Sequence, residues 1–312
     1  MTDNNRQSWN PGDADSVHEA VRERYAGLAL AAGDQGGGGC TGPSCCAPAS
    51  STDSAGTTAG PAAGRRTGSS GDPITADLYD AHDQAAFPGA VNASLGCGNP
   101  TALTTLHPGQ IVLDLGSGGG LDVLRSAQRV APGGRAYGLD MTPQMLDLAR
   151  AHQREAGIDN AEFLLGTIDD IPLPEASVDV VISNCVINLA PDKDAVLAQA
   201  HRVLRPGGTF AVSDIVLLRP LPPALREVVA LWTGCISGAL LDTEYVAALE
   251  RAGFADAGVE ITRRYSREDV LALGEQVAPA DRASTGVADL SDLAAELEGS
   301  FAAAFVRAVK PG

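Results

Sequence analysis

Residues 111–120 read IVLDLGSGGG, a short apolar run that contains one acid and is followed at once by a glycine-rich turn. Apolar residues then recur at helical spacing through residues 121–127, and the pattern stops at the PGG of residues 132–134. A second short run, AYGLD at residues 136–140, ends in an acid. The order predicts strand, glycine turn, helix, turn and strand, with an acid at the tip of the second strand.

This arrangement is typical of a site for a nucleoside-bearing cofactor. Glycines allow the backbone to turn tightly and to approach a ligand closely, and free N–H groups at the start of the helix face the same place. Asp140 could accept two hydrogen bonds from a ribose diol. A dinucleotide fingerprint needs a third glycine three residues after Gly118, and Leu121 stands there, which disfavours a pyrophosphate ligand. A glycine-rich surface turn without a ligand is the simpler alternative, but three matching elements in order disfavour it.

The strings DLGSGGG at residues 114–120 and LDMTP at residues 139–143 resemble the first motif and the ribose-binding acid of Rossmann-like S-adenosylmethionine (SAM) methyltransferases. The resemblance implies an α/β fold: a Rossmann-like, seven-stranded, mostly parallel sheet with helices on both faces and an antiparallel last strand. It also implies cofactor contacts, including an adenine contact in the acid-bearing loop after the third strand, for which a solvated loop is the alternative. The implied cofactor-binding residues are Tyr79, Asp114, Gly116, Ser117, Gly118, Asp140, Met141, Ile168, Asp169 and Asn184.

The chain divides into four predicted parts. Residues 1–72 hold one amphipathic helix, from about Asp15 to Ala31, and a flexible tract rich in Gly, Ser, Thr, Ala and Pro. Residues 73–217 form the SAM-binding core. Residues 218–241 interrupt the alternation after the fifth strand, predicted at 209–215, and are expected to form a helical substrate cap over the ligand crevice. Residues 242–312 complete the sheet, with strands predicted at 259–262 and 301–309 and one or two helices between them.

Composition narrows the classes of partner. The 312-residue chain carries a formal net charge of −17, which argues against nucleic acid or an anionic membrane surface as partner. No apolar run reaches the roughly 18 residues of a membrane span, and the polar N-terminus does not resemble a secretory signal. We therefore expect a cytoplasmic protein whose six cysteines are mostly reduced thiols.

Three of those cysteines stand singly on segments that the fold could bring together. Cys185 follows a predicted strand tip, Cys235 lies in the inserted cap, and Cys97 lies on a glycine-flanked turn before the first strand. The carboxyl ends of parallel strands open on one side of a sheet, so all three could meet above the cofactor. Thiolates select soft ions, and zinc prefers four ligands at paired spacing. Scattered single thiols suit a three-sulfur ion such as trivalent arsenic, with ordinary small core cysteines as the alternative.

The local sequences make the resemblance specific. The strings LGCGNP at 95–100, SNCVINL at 183–189 and TGCISGAL at 233–240 are similar to segments of arsenite SAM methyltransferases, over most of residues 73–256. The resemblance implies that Cys185 and Cys235 bind trivalent arsenic, free or as thiol conjugates. It implies that Cys97 and an N-terminal cysteine serve the first methylation and thiol exchange. We assign the N-terminal role to Cys46, with Cys40 and Cys45 as competitors. Methyl transfer would be a direct displacement, and thioredoxin or glutathione would reduce the product.

Two other functions remain open at this point. A SAM methyltransferase of an organic small molecule would need a base near the methyl group, and His201 is better explained as a packing or surface residue. A non-catalytic, thiol-rich protein that binds arsenite or zinc would not need the glycine-rich turn or Asp140. Titration with SAM separates that second alternative from an enzyme.

Overall fold

The computed structural model describes residues 13–36, 87, 90, 104–221, 236, 238–276 and 290–312. Its centre is a seven-stranded sheet in the order β3-β2-β1-β4-β5-β7-β6. The strands are β1 (Ile111–Leu115), β2 (Arg135–Asp140), β3 (Ala161–Leu165), β4 (Val178–Asn184), β5 (Leu204–Leu217), β6 (Ala255–Arg264) and β7 (Phe301–Val309). Strands β1 to β5 pair in parallel, whereas β7 is antiparallel to both β5 and β6. The predicted α/β sheet with an antiparallel last strand is confirmed.

Helices cover both faces of the sheet. They are α1 (Ala14–Gly36), α2 (Leu121–Val130), α3 (Pro143–Ala156), α4 (Lys193–Val203), α5 (Asp242–Arg251), α6 (Arg267–Gln276) and α7 (Leu290–Leu297). Helices α2 and α3 pack on the face that carries Val112 and Ala136, and α4 and α5 pack on the opposite face, over Leu113 and Leu139. Helices α1, α6 and α7 share a core with Ile215 at the end of β5.

The helix boundaries follow local rules of chain chemistry. Helix α3 begins with Thr142 at its N-cap and proline in its first turn, and it ends at Gly157, whose left-handed backbone (φ 65°) returns N–H groups to the last helical carbonyls. Asp192 caps α4 by accepting a hydrogen bond from the Ala195 N–H at 2.9 Å. These signals are contained in the sequence: Thr142 and Pro143 mark the start of α3, and Gly157 marks its end.

Strand β5 is longer than predicted, and this is a correction. The strand was predicted to begin at Thr209, but β5 begins at Leu204. The physical reason is distant pairing: Leu204 pairs with Val178 of β4, and the Lys310 ammonium donates to the Leu204 carbonyl at 2.8 Å. Strand β6 is likewise extended at both ends by pairing with β7.

Two predicted regions fall largely outside the described residues. Most of the predicted substrate cap at 218–241 does so, although the Leu217 N–H donates to the Leu240 carbonyl at 2.8 Å where the chain returns to the sheet. Most of the predicted flexible tract at 32–72 also lies outside; its first residues, 32–36, are the last turn of α1, which extends beyond the predicted end at Ala31. No helix among the described residues is long and apolar enough to cross a membrane.

Candidate functional site

The glycine turn, residues 116–120, connects β1 to α2 at the carboxyl edge of the sheet. The Gly116 and Ser117 N–H groups donate to the Leu139 carbonyl of β2 at 2.8 and 2.9 Å, which fixes the turn against the neighbouring strand. Gly116, Gly118 and Gly120 have φ of 72°, 49° and 87°, a backbone region that side chains disfavour. The turn therefore presents bare backbone to the space above the sheet.

Asp140, at the tip of β2, is tied to this turn. Its Oδ2 accepts a hydrogen bond from the Gly118 N–H at 2.9 Å, and its Oδ1 accepts one from the Thr142 N–H at 2.8 Å. Burial raises the pKa of Asp140, and the N–H donors of Thr142 and Gly118 act against that shift. Each oxygen keeps further acceptor capacity, so the carboxylate could also receive two hydroxyl donors from a ligand.

Two more acids line the same space. Asp114 is 3% exposed, and burial, followed by repulsion from Asp122 and Asp140, raises its pKa well above the ordinary value. Asp122, in the first turn of α2, lies 3.5 Å from the Arg125 guanidinium and accepts a hydrogen bond from Asn184 at 3.2 Å. Three carboxyl groups around one space favour a ligand that carries positive charge.

The Cys185 turn, residues 184–190, joins β4 to α4 on the other side of the glycine turn. Cys185 is 4% exposed and has a left-handed backbone with φ 61°. Its N–H donates to the Ser213 carbonyl of β5 at 2.8 Å. Val186 lies over Gly116 so closely that a Cβ at position 116 would overlap its side chain. The two turns are therefore in direct contact.

Cys185 Sγ is in a disulfide bond. The sequence predicts that the six cysteines are mostly reduced thiols, and Cys185 is an exception to that prediction. The other five cysteines, at positions 40, 45, 46, 97 and 235, lie outside the described residues. Reduction would turn Cys185 into a thiol at the position it occupies.

Helix α1 forms a wall of the same space, a contribution that the sequence analysis missed. His18, Val21 and Tyr25 line it, and the His18 Nε2 lies 3.6 Å from Asp169 Oδ2 in the loop after β3. These residues recur at helical spacing, which identified an amphipathic helix but not the surface that it covers. Asp122 was also missed, because the inward-facing pattern around it suggested only packing.

Together these elements line one cleft at the carboxyl edge of the sheet. Of the predicted site residues, the following line it: Asp114, Gly116, Ser117, Gly118, Asp140, Met141, Ile168, Asn184 and Cys185. Asp169 lies beside the cleft, in contact with His18. Tyr79, Cys46, Cys97 and Cys235 lie outside the described residues.

The residues present fit the cofactor that the sequence predicted. Asp114 Oδ1 and Ser117 Oγ are buried and have no hydrogen-bond partner among the described residues, so a polar ligand could satisfy them. SAM carries a sulfonium and an ammonium cation, a ribose diol and an adenine. Asp114 and Asp122 are suited to the cations, the Asp140 carboxylate to the ribose diol, and the apolar side chains of Met141 and Ile168 to the adenine.

Comparison with known proteins shows that this chain is similar to methyltransferases. A family model described as a methyltransferase domain matches residues 106–253. The arsenite methyltransferase of Halobacterium salinarum is 39% identical over 263 residues, which is 81% of this chain and 61% of that protein. The arsenite methyltransferase of Aquipseudomonas alcaligenes is 42% identical over 168 residues, 52% of this chain and 48% of that protein. The chain thus spans about half to three-fifths of the length of these curated relatives.

One solved structure is matched over a larger share of its length than these two relatives are. The arsenic(III) S-adenosylmethionine methyltransferase from Chlamydomonas reinhardtii is 31% identical, with a TM-score of 0.58. The match covers 75% of each chain. The geranyl diphosphate methyltransferase structure, at 21% identity and a TM-score of 0.52, shows the shared fold.

Proposed function

Because the chain belongs to the arsenic(III) S-adenosylmethionine methyltransferase family, we propose that it transfers methyl groups from SAM to trivalent arsenic held by cysteine thiolates. Methylation of arsenite in this way would serve arsenic detoxification. One observation carries the proposal: Cys185 lines the same cleft as the glycine turn and Asp140. A sulfur ligand for arsenic and the cofactor's binding residues therefore face a common space.

The cofactor would be held mainly from the β1–β2 side of the cleft. Asp140 would accept the ribose hydroxyls, Asp114 would face the cationic end, and Ile168 with Met141 would pack against the base. When bound, SAM supplies a methyl group on a positively charged sulfur. Helix α1, through His18, Val21 and Tyr25, would limit the access of water to one side of this space. Holding two reactants in line can be worth about 7–11 kcal/mol in favourable cases.

Arsenic would be held by Cys185 with Cys235 and Cys97, and Cys46 would exchange thiols with it. Each thiol forms one sulfur–arsenic bond, one arsenic–oxygen bond breaks, and the thiol proton leaves with the hydroxyl as water. Trivalent arsenic keeps a lone pair after three such bonds, so the chain does not need a strong general base.

The disulfide at Cys185 requires a reductant before arsenic can bind. Two electrons from an external dithiol, such as thioredoxin, or from two glutathione molecules would release the thiol and leave the donor oxidised. We propose that the protein works in the cytoplasm, where such donors keep thiols reduced.

The test is to incubate the full chain with SAM, arsenite and a thiol reductant, and to separate the arsenic species. We expect methylated arsenic from the wild-type protein and none from Cys185→Ser, with the dissociation constant for SAM unchanged in the variant. Undiminished turnover by Cys185→Ser would contradict the assignment. Arsenite binding by a wild-type protein that does not bind SAM would indicate a binding protein instead of an enzyme.

A further inference from the structure

Asp214 is a buried acid that does not line the cleft. It lies in β5, is fully buried, and points to the face of the sheet that α4 and α5 cover. Burial raises its pKa to about 7, while the N–H of Ile215 and the charge of Lys193 act in the opposite direction. An acid at this depth is costly unless its oxygens are satisfied, so its hydrogen bonds indicate what it holds.

The Asp214 carboxyl joins β5 to two other elements. Its Oδ1 accepts hydrogen bonds from the Asn188 amide at 2.8 Å and from the Ile215 N–H at 3.1 Å. Its Oδ2 accepts from the Tyr245 hydroxyl of α5 at 3.4 Å. The Asn188 amide also donates to the Ile215 carbonyl at 2.7 Å. Asn188 is thereby held at two adjacent points of β5.

Asn188 lies in the Cys185 turn, three residues after the cysteine. The turn contains one short 3₁₀ helix (Ile187–Leu189), and the Leu189 N–H donates to the Val186 carbonyl at 2.9 Å. A left-handed, non-glycine residue such as Cys185 persists only when its surroundings hold it. Two attachments to β5 do so here: the Cys185 N–H on Ser213, and the Asn188 amide on Asp214.

We propose that Asp214 is a positioning residue for the arsenic site: through Asn188 it fixes the Cys185 turn, and with it the place of the Cys185 sulfur in the cleft. This inference rests on the proposed function. Asp214 would touch neither arsenic nor SAM, because it lies on the face of the sheet that α4 and α5 cover and does not line the cleft. Asp140 and the glycine turn have their own hydrogen bonds to β2 and to each other, so SAM binding should depend on Asp214 much less than arsenite binding does.

The experiment measures two affinities on the full chain, reduced with a phosphine so that no added thiol competes for arsenic. Arsenite and SAM are titrated separately by calorimetry. We expect Asp214→Ala to weaken arsenite binding at least about tenfold and to leave SAM binding within about twofold, because only the Cys185 turn loses its attachment. Asp214→Asn keeps an acceptor at Oδ1 for the Asn188 amide, and we expect it to restore arsenite binding to within about threefold.

Two further variants separate positioning from a general loss of stability. Asn188→Leu keeps the branched shape of the side chain and removes the amide, so it should reproduce the arsenite defect if Asp214→Ala does not fold. Tyr245→Phe removes only the 3.4 Å bond to Oδ2 and should leave both affinities unchanged. Equal loss of arsenite and SAM binding in Asp214→Ala and Asn188→Leu, or no loss in either, would overturn the inference. A wild-type protein that does not bind arsenite would overturn both the inference and the proposed function.

Discussion

At the β1–β2 end of the cleft the structure comes from one contiguous unit, residues 111–142, in which backbone N–H groups donate to the Leu139 carbonyl and the Asp140 carboxylate. At the β4–β5 end, side chains join elements that lie far apart in the chain. The Ser183 hydroxyl donates to the Leu115 carbonyl at 2.8 Å, and Asp214 joins the Cys185 turn to α5. The first end should respond to local changes, and the second to changes at a distance.

The largest expected effect comes from removing the carboxylate at the local end. We expect Asp140→Ala to weaken SAM binding by about 10²- to 10⁴-fold, since two hydrogen bonds to a charged acceptor contribute roughly 1.5–3 kcal/mol each. Arsenite binding should not change. Titration of the reduced protein with SAM measures this, and Asp147→Ala, on the exposed face of α3, is the matched control. An unchanged SAM affinity in Asp140→Ala would remove Asp140 from the site.

A smaller effect is expected where the two ends touch. In Gly116→Ala the new Cβ would meet the Val186 side chain, and the backbone would remain at φ 72°. We expect a loss of about 2–5 kcal/mol in the free energy of unfolding, from the left-handed backbone and overpacking together. Gly157→Ala has a similar φ of 65° and open space around its Cβ, so it should lose only about 1–2 kcal/mol. Equal losses in the urea unfolding of the two variants would show that contact with Val186 carries no cost.

The third effect is a pH dependence of the free energy of unfolding that arises from Asp214. Burial raises the pKa of Asp214 to about 7, above the unfolded value of 3.8, so the folded state keeps a proton that the unfolded chain releases. The stability that this group contributes is therefore fully present below about pH 4 and is lost as pH rises through about 7. Tyr245 and Lys193 face the same carboxyl, and burial raises the pKa of Tyr245 well above its ordinary value, so its hydroxyl stays protonated in this range.

The Asp214→Asn variant cannot titrate at this position, so its stability should fall less with pH. Between roughly pH 5 and pH 8 we expect the unfolding free energy of the wild-type protein to decrease relative to the variant by up to about 3 kcal/mol. Urea unfolding of both proteins across this range measures the difference. A difference that stays constant with pH would mean that Asp214 does not titrate there.

The same contrast explains how much the sequence could predict. The glycine turn and Asp140 depend on neighbours in the chain, so the pattern of residues 111–140 was sufficient to predict them. The start of β5 depends on pairing with Val178 and on Lys310, more than a hundred residues later. Sequence patterns do not contain that information, and the strand was predicted too short.

The site shows the same division between local and distant information. Cys185 was recognised because its neighbours form a recognisable string, and Asp140 because it ends a strand after a glycine turn. Asp122 and the wall formed by α1 were missed, since their place in the cleft follows from how α1 and α2 pack. The link between Asn188 and Asp214 also arises only when β4 and β5 lie side by side.

The left-handed backbone at Cys185 means that a cysteine at this position lowers the stability of the fold relative to glycine. A side chain there costs the fold about 1–2 kcal/mol that glycine would not. Selection for thermal robustness alone would thus favour glycine, and with it a chain without sulfur at the strand tip. A Cys185→Gly substitution should therefore stabilise the fold, while it removes the sulfur that we propose as an arsenic ligand.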